Sequence, residues 1–126
     1  MRLVEQIVEL VPGSEARCQR RTHLSDWYFQ GHFPEQPVVP AIVLVEFVAQ
    51  TGGLAAAGAP ADARPLQLRV AALGPFKFPA AAGPDMALEA RARVVGRMGG
   101  LVKIEGEVTA NGRLVATGAV TLAAVG

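Results

Sequence analysis

His32 stands in the run Gly31-His32-Phe33-Pro34, and Glu46 follows fourteen positions later inside the apolar stretch AIVLVEFVAQ. An imidazole, with an ordinary pKa near 6.5, can take up a proton at neutral pH. A carboxyl drawn into apolar surroundings is costly to ionise and so favours its protonated form, which can hand a proton to a substrate. An acceptor and a donor on either side of one short turn are what general acid/base chemistry requires. Gln50 lies at i+4 from Glu46, on the same helical face, where its amide can orient the carboxyl group or a water. If Pro40 is the first helical residue, the N–H groups of Ala41 and Ile42 point out of the helix start, where they can polarise a carbonyl and stabilise an enolate-like oxygen. Pro34, Pro37 and Pro40 would keep this loop stiff, as a preorganised site needs.

Each residue also has an ordinary reading. A loop histidine is commonly a surface or hydrogen-bonding residue, and a lone helical glutamate commonly faces solvent or a salt bridge. Trp27, Tyr28, Phe29 and Phe33 either line an apolar cavity or fill the core beneath the loop. Cys18, His23 and His32 match no common zinc spacing, and Ser14 and Ser25 lie outside any nucleophile elbow, so neither metal nor cofactor is expected. Cys18 sits in strand-like sequence and reads as packing rather than as a nucleophile.

The elements that must position these groups are mostly strands. In LVKIEGEVTA, Val102, Ile104, Gly106, Val108 and Ala110 alternate with polar residues, which gives one apolar and one wet face. Asn111-Gly112 suits a type I′ turn, and a strand from Leu114 to Ala123 returns. Met86 to Val95 alternates too, with residues 96–100 as the next connection; Leu66 to Phe78 forms another strand with a bulge or edge at Gly74-Pro75. Leu3, Val4, Ile7, Val8 and Val11 fit helical spacing as well as strand spacing, but the Pro12-Gly13 turn and the segment Glu15 to His23 favour a hairpin. Pro40 to about Ala57 is the strong helix candidate, apolar nearly all round, which predicts burial on every side and a sheet curled about it.

The 126 residues, 51% hydrophobic and 18% charged, suit one globular domain spanning 1–126. A net charge of +1 makes no electrostatic case for nucleic acid. The clusters Arg17, Arg20, Arg21 and Arg91, Arg93, Arg97 read as solvated strand faces, with contact to a small acidic partner as the alternative. A single cysteine rules out an intrachain disulfide, and neither a signal sequence nor a membrane-spanning apolar run is visible, so a cytoplasmic location without membrane partners is expected.

Taken together, FQGHFPEQPVVPAIVLVEFVAQTGG resembles the signature of the FabZ/FabA-type 3-hydroxyacyl-acyl-carrier-protein dehydratases, whose usual form is close to GHFPGxPxMPGxLxxExxAQ. Gly31, His32, Phe33, Pro34, Pro37, Pro40, Glu46, Ala49 and Gln50 match, and VELVPGSEARCQRR and LGPFKFPAAAGPDMALEA extend the likeness more loosely. The resemblance implies an α+β hotdog fold, an antiparallel sheet wrapped around one long helix, and a homodimer or larger homo-oligomer. It implies that His32 removes the C2 proton of a 3-hydroxyacyl thioester while Glu46 of a second subunit protonates the departing hydroxyl, with Gln50 assisting. It implies that Ala41 N–H binds the thioester carbonyl and that the substrate is a phosphopantetheine-linked acyl chain on acyl carrier protein; Ile42, Gln50 and Phe33 are the further substrate-binding candidates. Three features depart from the pattern: Glu35 and Ala41 replace glycines, and the sequence opens at the first strand without the helical segment common before it. A hotdog thioesterase and a noncatalytic acyl-binding subunit are the rival readings.

Overall fold

The computed structural model describes residues 2–29, 36–57 and 68–124. His32, Phe33, Pro34 and Glu35 lie outside the described residues, as do Leu66 and Gln67. The alternation seen in the sequence becomes β5, Leu101–Ala110, in which Val102, Ile104, Gly106, Val108 and Ala110 are buried. Asn111 and Gly112 turn the chain with φ of 49° and 84°, the left-handed pair that a type I′ turn requires, into β6, Arg113–Ala124.

On the other side of β5 runs β4, Ala87–Met98. It continues past the expected end at Val95, because a register shift between Val94 and Gly96 absorbs one residue and the ladder resumes to Met98. The connection therefore shrinks to Gly99-Gly100, with Gly99 at φ 59°. The hairpin β1, Gln6–Val11, and β2, Glu15–Arg21, packs onto β4 through β2, which settles the N-terminal ambiguity in favour of strand. β3, Leu68–Lys77, pairs with β6, and its register breaks between Leu73 and Phe76, around the Gly74-Pro75 step where proline offers no donor. The resulting antiparallel sheet has the order β1-β2-β4-β5-β6-β3, so β1 and β3 are its edges.

The helix α1, Ala41–Ala56, lies against β2, β4, β5 and β6. Two glycines let it come close. A Cβ on Gly52 would meet Ile104 Cγ2 at 2.7 Å, and one on Gly106 would meet Val48 Cγ1 and Arg91 O at 2.8 Å. Val43, Leu44, Phe47, Val48 and Ala55 are buried against the inner strand face, each large side chain contributing roughly 1.5–3 kcal/mol by leaving water.

The helix is not buried on every side, contrary to the expectation from its apolar composition. Ile42 is 67% exposed, and Glu46, Gln50, Gly53 and Leu54 are half-buried. These positions recur every three or four residues, so they form one open stripe. A single sheet covers only one side of a helix, and hydropathy alone cannot tell which apolar positions that side leaves out.

Candidate active site

The open stripe carries Glu46 and Gln50. Glu46 sits in the second turn of α1, and Gln50, one turn on, donates its Nε2 to Glu46 Oε1 at 3.2 Å. The direction of that bond is fixed from the other end of the amide: Leu3 N–H donates to Gln50 Oε1 at 2.7 Å. A backbone N–H can only donate, so the amide oxygen must face Leu3 and its NH₂ must face Glu46. The amide thus holds Oε1 of the carboxyl.

The helix start differs in one respect from expectation. Pro40 is the N-cap rather than the first helical residue, with φ −58° and ψ 144°. Its ring accepts either position, but the extended ψ turns its carbonyl onto the helix, where it accepts Val43 N–H at 3.0 Å and Leu44 N–H at 3.4 Å. The N–H groups of Ala41 and Ile42 keep no intrahelical acceptor, and both residues are exposed, so the expected donors are present at the positive end of the helix dipole. At the opposite end, Arg97 Nη2 donates to Ala56 O at 3.1 Å.

The chain entering α1 is clasped from the side. Val39 N–H donates to Ala82 O at 2.8 Å, in the connection between β3 and β4. That connection is held from within by Thr22, fully buried, whose hydroxyl donates to Gly83 O at 2.8 Å and accepts Met86 N–H at 2.8 Å.

A polar cluster underlies the segment leading toward His32. Arg20 Nη2 faces Asp26 Oδ1 at 3.5 Å, its Nε donates to Tyr28 Oη at 3.4 Å, and Nη1 donates to Leu3 O at 3.4 Å. Tyr28 Oη in turn donates to Asp26 Oδ2 at 2.6 Å, which also accepts His23 N–H at 2.8 Å. Burial pushes the Tyr28 phenol up; the Arg20 contact opposes this and the Asp26 contact reinforces it, so that its pKa stands at about 12. Burial alone would raise the Asp26 carboxyl, but the bonds from Tyr28 and His23 and the Arg20 charge outweigh it and hold the carboxyl below its usual range. Tyr28 and Phe29 belong to a 3₁₀ turn, Trp27–Phe29, and are core residues, whereas Trp27 is 56% exposed.

Arg20 is therefore not on a solvated strand face. Its side chain is 15% exposed and its guanidinium paired, while Arg21 with Asp85 and Arg93 with Glu107 behave as the expected surface charges. The signal was in the sequence: Ala16, Cys18, Arg20 and Thr22 share one parity, and that parity points inward. Leu3 carried no comparable signal, because its role belongs to a backbone N–H. Cys18 is fully buried, and burial raises its thiol pKa. Ile42, Glu46 and Gln50 thus follow one another turn by turn along one side of α1, with Ala41 at its start; His32 and Phe33, and any approach between His32 and Glu46, lie outside the described residues.

A family described as FabA-like domain matches residues 1–119. The 3-hydroxyacyl-[acyl-carrier-protein] dehydratase FabZ of Roseiflexus sp. (strain RS-1) is 36% identical over 117 residues, which cover 92% of this chain and 80% of that one. Its namesake in Chloroflexus aggregans is 44% identical over 66 residues, covering 52% of this chain and 46% of that one. Among solved structures, the dehydratase heterocomplex ApeI:P of Xenorhabdus doucetiae superposes with a TM-score of 0.80 at 15% identity, covering 98% of this chain and 83% of that one. A hypothetical thioesterase with coenzyme A from Streptococcus pneumoniae reaches 0.71 at 14% identity, covering 96% of this chain and 85% of that one. At such identities the structural likeness is one of fold, and the fold is the hotdog. The sequence matches reach further, and through them the chain belongs to the family of FabA-like domains.

Proposed function

We propose that this protein dehydrates a 3-hydroxyacyl thioester carried on acyl carrier protein, releasing water and the trans-2-enoyl thioester, in fatty acid or related acyl-chain synthesis. The observation that carries the proposal is the oriented Glu46 carboxyl on the open stripe of α1, one turn from exposed helix-start N–H groups, in a chain of this family. The dehydratase names of the relatives support the choice of reaction.

His32 removes the C2 proton. The electron pair moves to form the C2–C3 double bond, the C3–O bond breaks, and Glu46 protonates the departing hydroxyl, which leaves as water. Ala41 N–H, with Ile42 N–H beside it, hydrogen-bonds the thioester oxygen, where negative charge grows as C2 loses its proton. Ile42 and Phe33 line the acyl chain. A second copy of the chain completes the site, with His32 of one subunit opposite Glu46 of the other. Support for pairing comes from β3, an edge strand on which Val70 and Leu73 are exposed. No helix among the described residues is long and apolar enough to cross a membrane.

The test is direct. Purified protein given 3-hydroxyacyl thioesters of several chain lengths, on acyl carrier protein and on coenzyme A, should gain enoyl absorbance without releasing free thiol. Thiol release without enoyl product would make it a thioesterase, and binding without turnover on any of them a noncatalytic acyl-binding subunit.

A further inference from the structure

We infer that Arg20 is a positioning residue for Glu46, acting through the backbone of Leu3 and the amide of Gln50. The inference rests on the reading of Glu46 as the proton donor. Four residues make an unbroken series: Arg20 Nη1 donates to Leu3 O at 3.4 Å, Leu3 N–H donates to Gln50 Oε1 at 2.7 Å, and Gln50 Nε2 donates to Glu46 Oε1 at 3.2 Å. Each member after the first has its orientation set by the one before it. Leu3 precedes β1, so no strand partner fixes its N–H; what holds residue 3 is its side chain, 1% exposed in the core, and the Arg20 contact to its carbonyl.

Arg20 itself has several partners. Its guanidinium is shared among Asp26, Tyr28 Oη and Leu3 O and lies 5.8 Å from the centre of the Tyr28 ring. A planar fork with several donors can hold these partners together, which an ammonium does less well. Asp26 and Tyr28 belong to the segment that reaches His32 only three positions after Phe29. One side chain therefore grips both the support of Glu46 and the stretch of chain that precedes His32 in sequence.

The experiment is a cycle of variants assayed on a 3-hydroxyacyl-acyl-carrier-protein substrate. Arg20→Met alone would strand Asp26 as an unpaired charge, so the pair Arg20→Met, Asp26→Asn is made as well. Both should lower kcat on the order of tenfold and leave KM within about twofold, the signature of a misaligned donor rather than lost binding. Arg20→Lys should recover about half of that loss on a logarithmic scale. In a Gln50→Ala background the same changes at Arg20 should have almost no further effect, since the path to Glu46 is already cut. A readout independent of turnover is hydrogen exchange of the Leu3 amide: slow in the native protein, fast in Gln50→Ala and in both Arg20→Met variants, while the Ile104 amide in β5 is unchanged. Full additivity with Gln50→Ala, or an undisturbed Leu3 amide in the Arg20 variants, would overturn the inference. Should Glu46→Gln retain turnover, the catalytic reading of Glu46 fails, and the exchange pattern still decides whether Arg20 orders Leu3.

Discussion

Glu46 and Gln50 are joined by a 3.2 Å hydrogen bond in which the amide donates, and the amide cannot turn over because Leu3 N–H occupies its oxygen. The carboxyl is thereby presented in one orientation. Glu46→Gln removes the transferable proton and keeps the shape, so kcat should fall by about 10²–10⁴, the range expected for a lost general acid, with little change in Tm. Gln50→Ala leaves the acid in place but unoriented, and should cost roughly tenfold. Steady-state turnover on a 3-hydroxyacyl thioester measures both; a Glu46→Gln protein within twofold of the native rate would remove Glu46 from the chemistry.

Tyr28 is the only tyrosine in the chain, so ultraviolet absorbance of the phenolate reports on it alone. Its pKa of about 12 lies above the ordinary value near 10. The folded state holds this proton more tightly than the unfolded one, so the associated stability is complete below pH ~10 and is lost as the pH rises toward 12. Phenolate should appear about two pH units late in the native protein and near pH 10 in urea. A native midpoint near 10 would mean that the bonded phenol is not shielded as described.

The spacing between α1 and the sheet depends on two missing methyl groups. Gly106→Ala would place a carbon 2.8 Å from both Val48 Cγ1 and Arg91 O, and the backbone oxygen cannot move aside cheaply. The expected loss is about 1–3 kcal/mol, a Tm drop of several degrees for a domain of this size. The three atoms nearest a Cβ on Gly52 are all side-chain carbons of Ile104, so Ile104→Ala in the same protein should recover part of the loss of Gly52→Ala, giving a non-additive pair in thermal unfolding. Simple additivity would contradict the close approach.

Cys18 is fully buried, and burial raises its thiol pKa, so both access and thiolate population are low. An aromatic disulfide reagent at neutral pH should label it only after denaturant is added. Rapid labelling of the native protein would place the thiol elsewhere. Cys18→Ala should retain turnover.

What could be read from the sequence follows the range of the interactions involved. The β5–β6 hairpin was legible because alternation and the Asn111-Gly112 turn are both local, and so was α1, although Pro40 proved to be its cap and not its first residue. The pairing of Gln50 with Glu46 was legible because i+4 spacing is also local. Leu3 was not, since its contact with Gln50 spans 47 positions and uses only the backbone, which every residue possesses. Arg20 was misread as a surface charge because composition says that arginines face water, while the parity it shares with Cys18 and Thr22 says that this one does not. The open stripe of α1 was hidden for a related reason: hydropathy records what a residue prefers, and Ile42 is left exposed by the reach of one sheet.

The Thr22 hydroxyl has a mechanical consequence. It is bonded on both sides to the connection between β3 and β4, and the same connection receives Val39 just ahead of α1. Strand β2, that connection and the entry to the helix are thus riveted at successive points, and a displacement of Val39 has to drag the end of β2 along with it. This flank of the helix start is a bracket and not a gate. On this flank a substrate meets a surface whose backbone is tied to β2 through one buried hydroxyl.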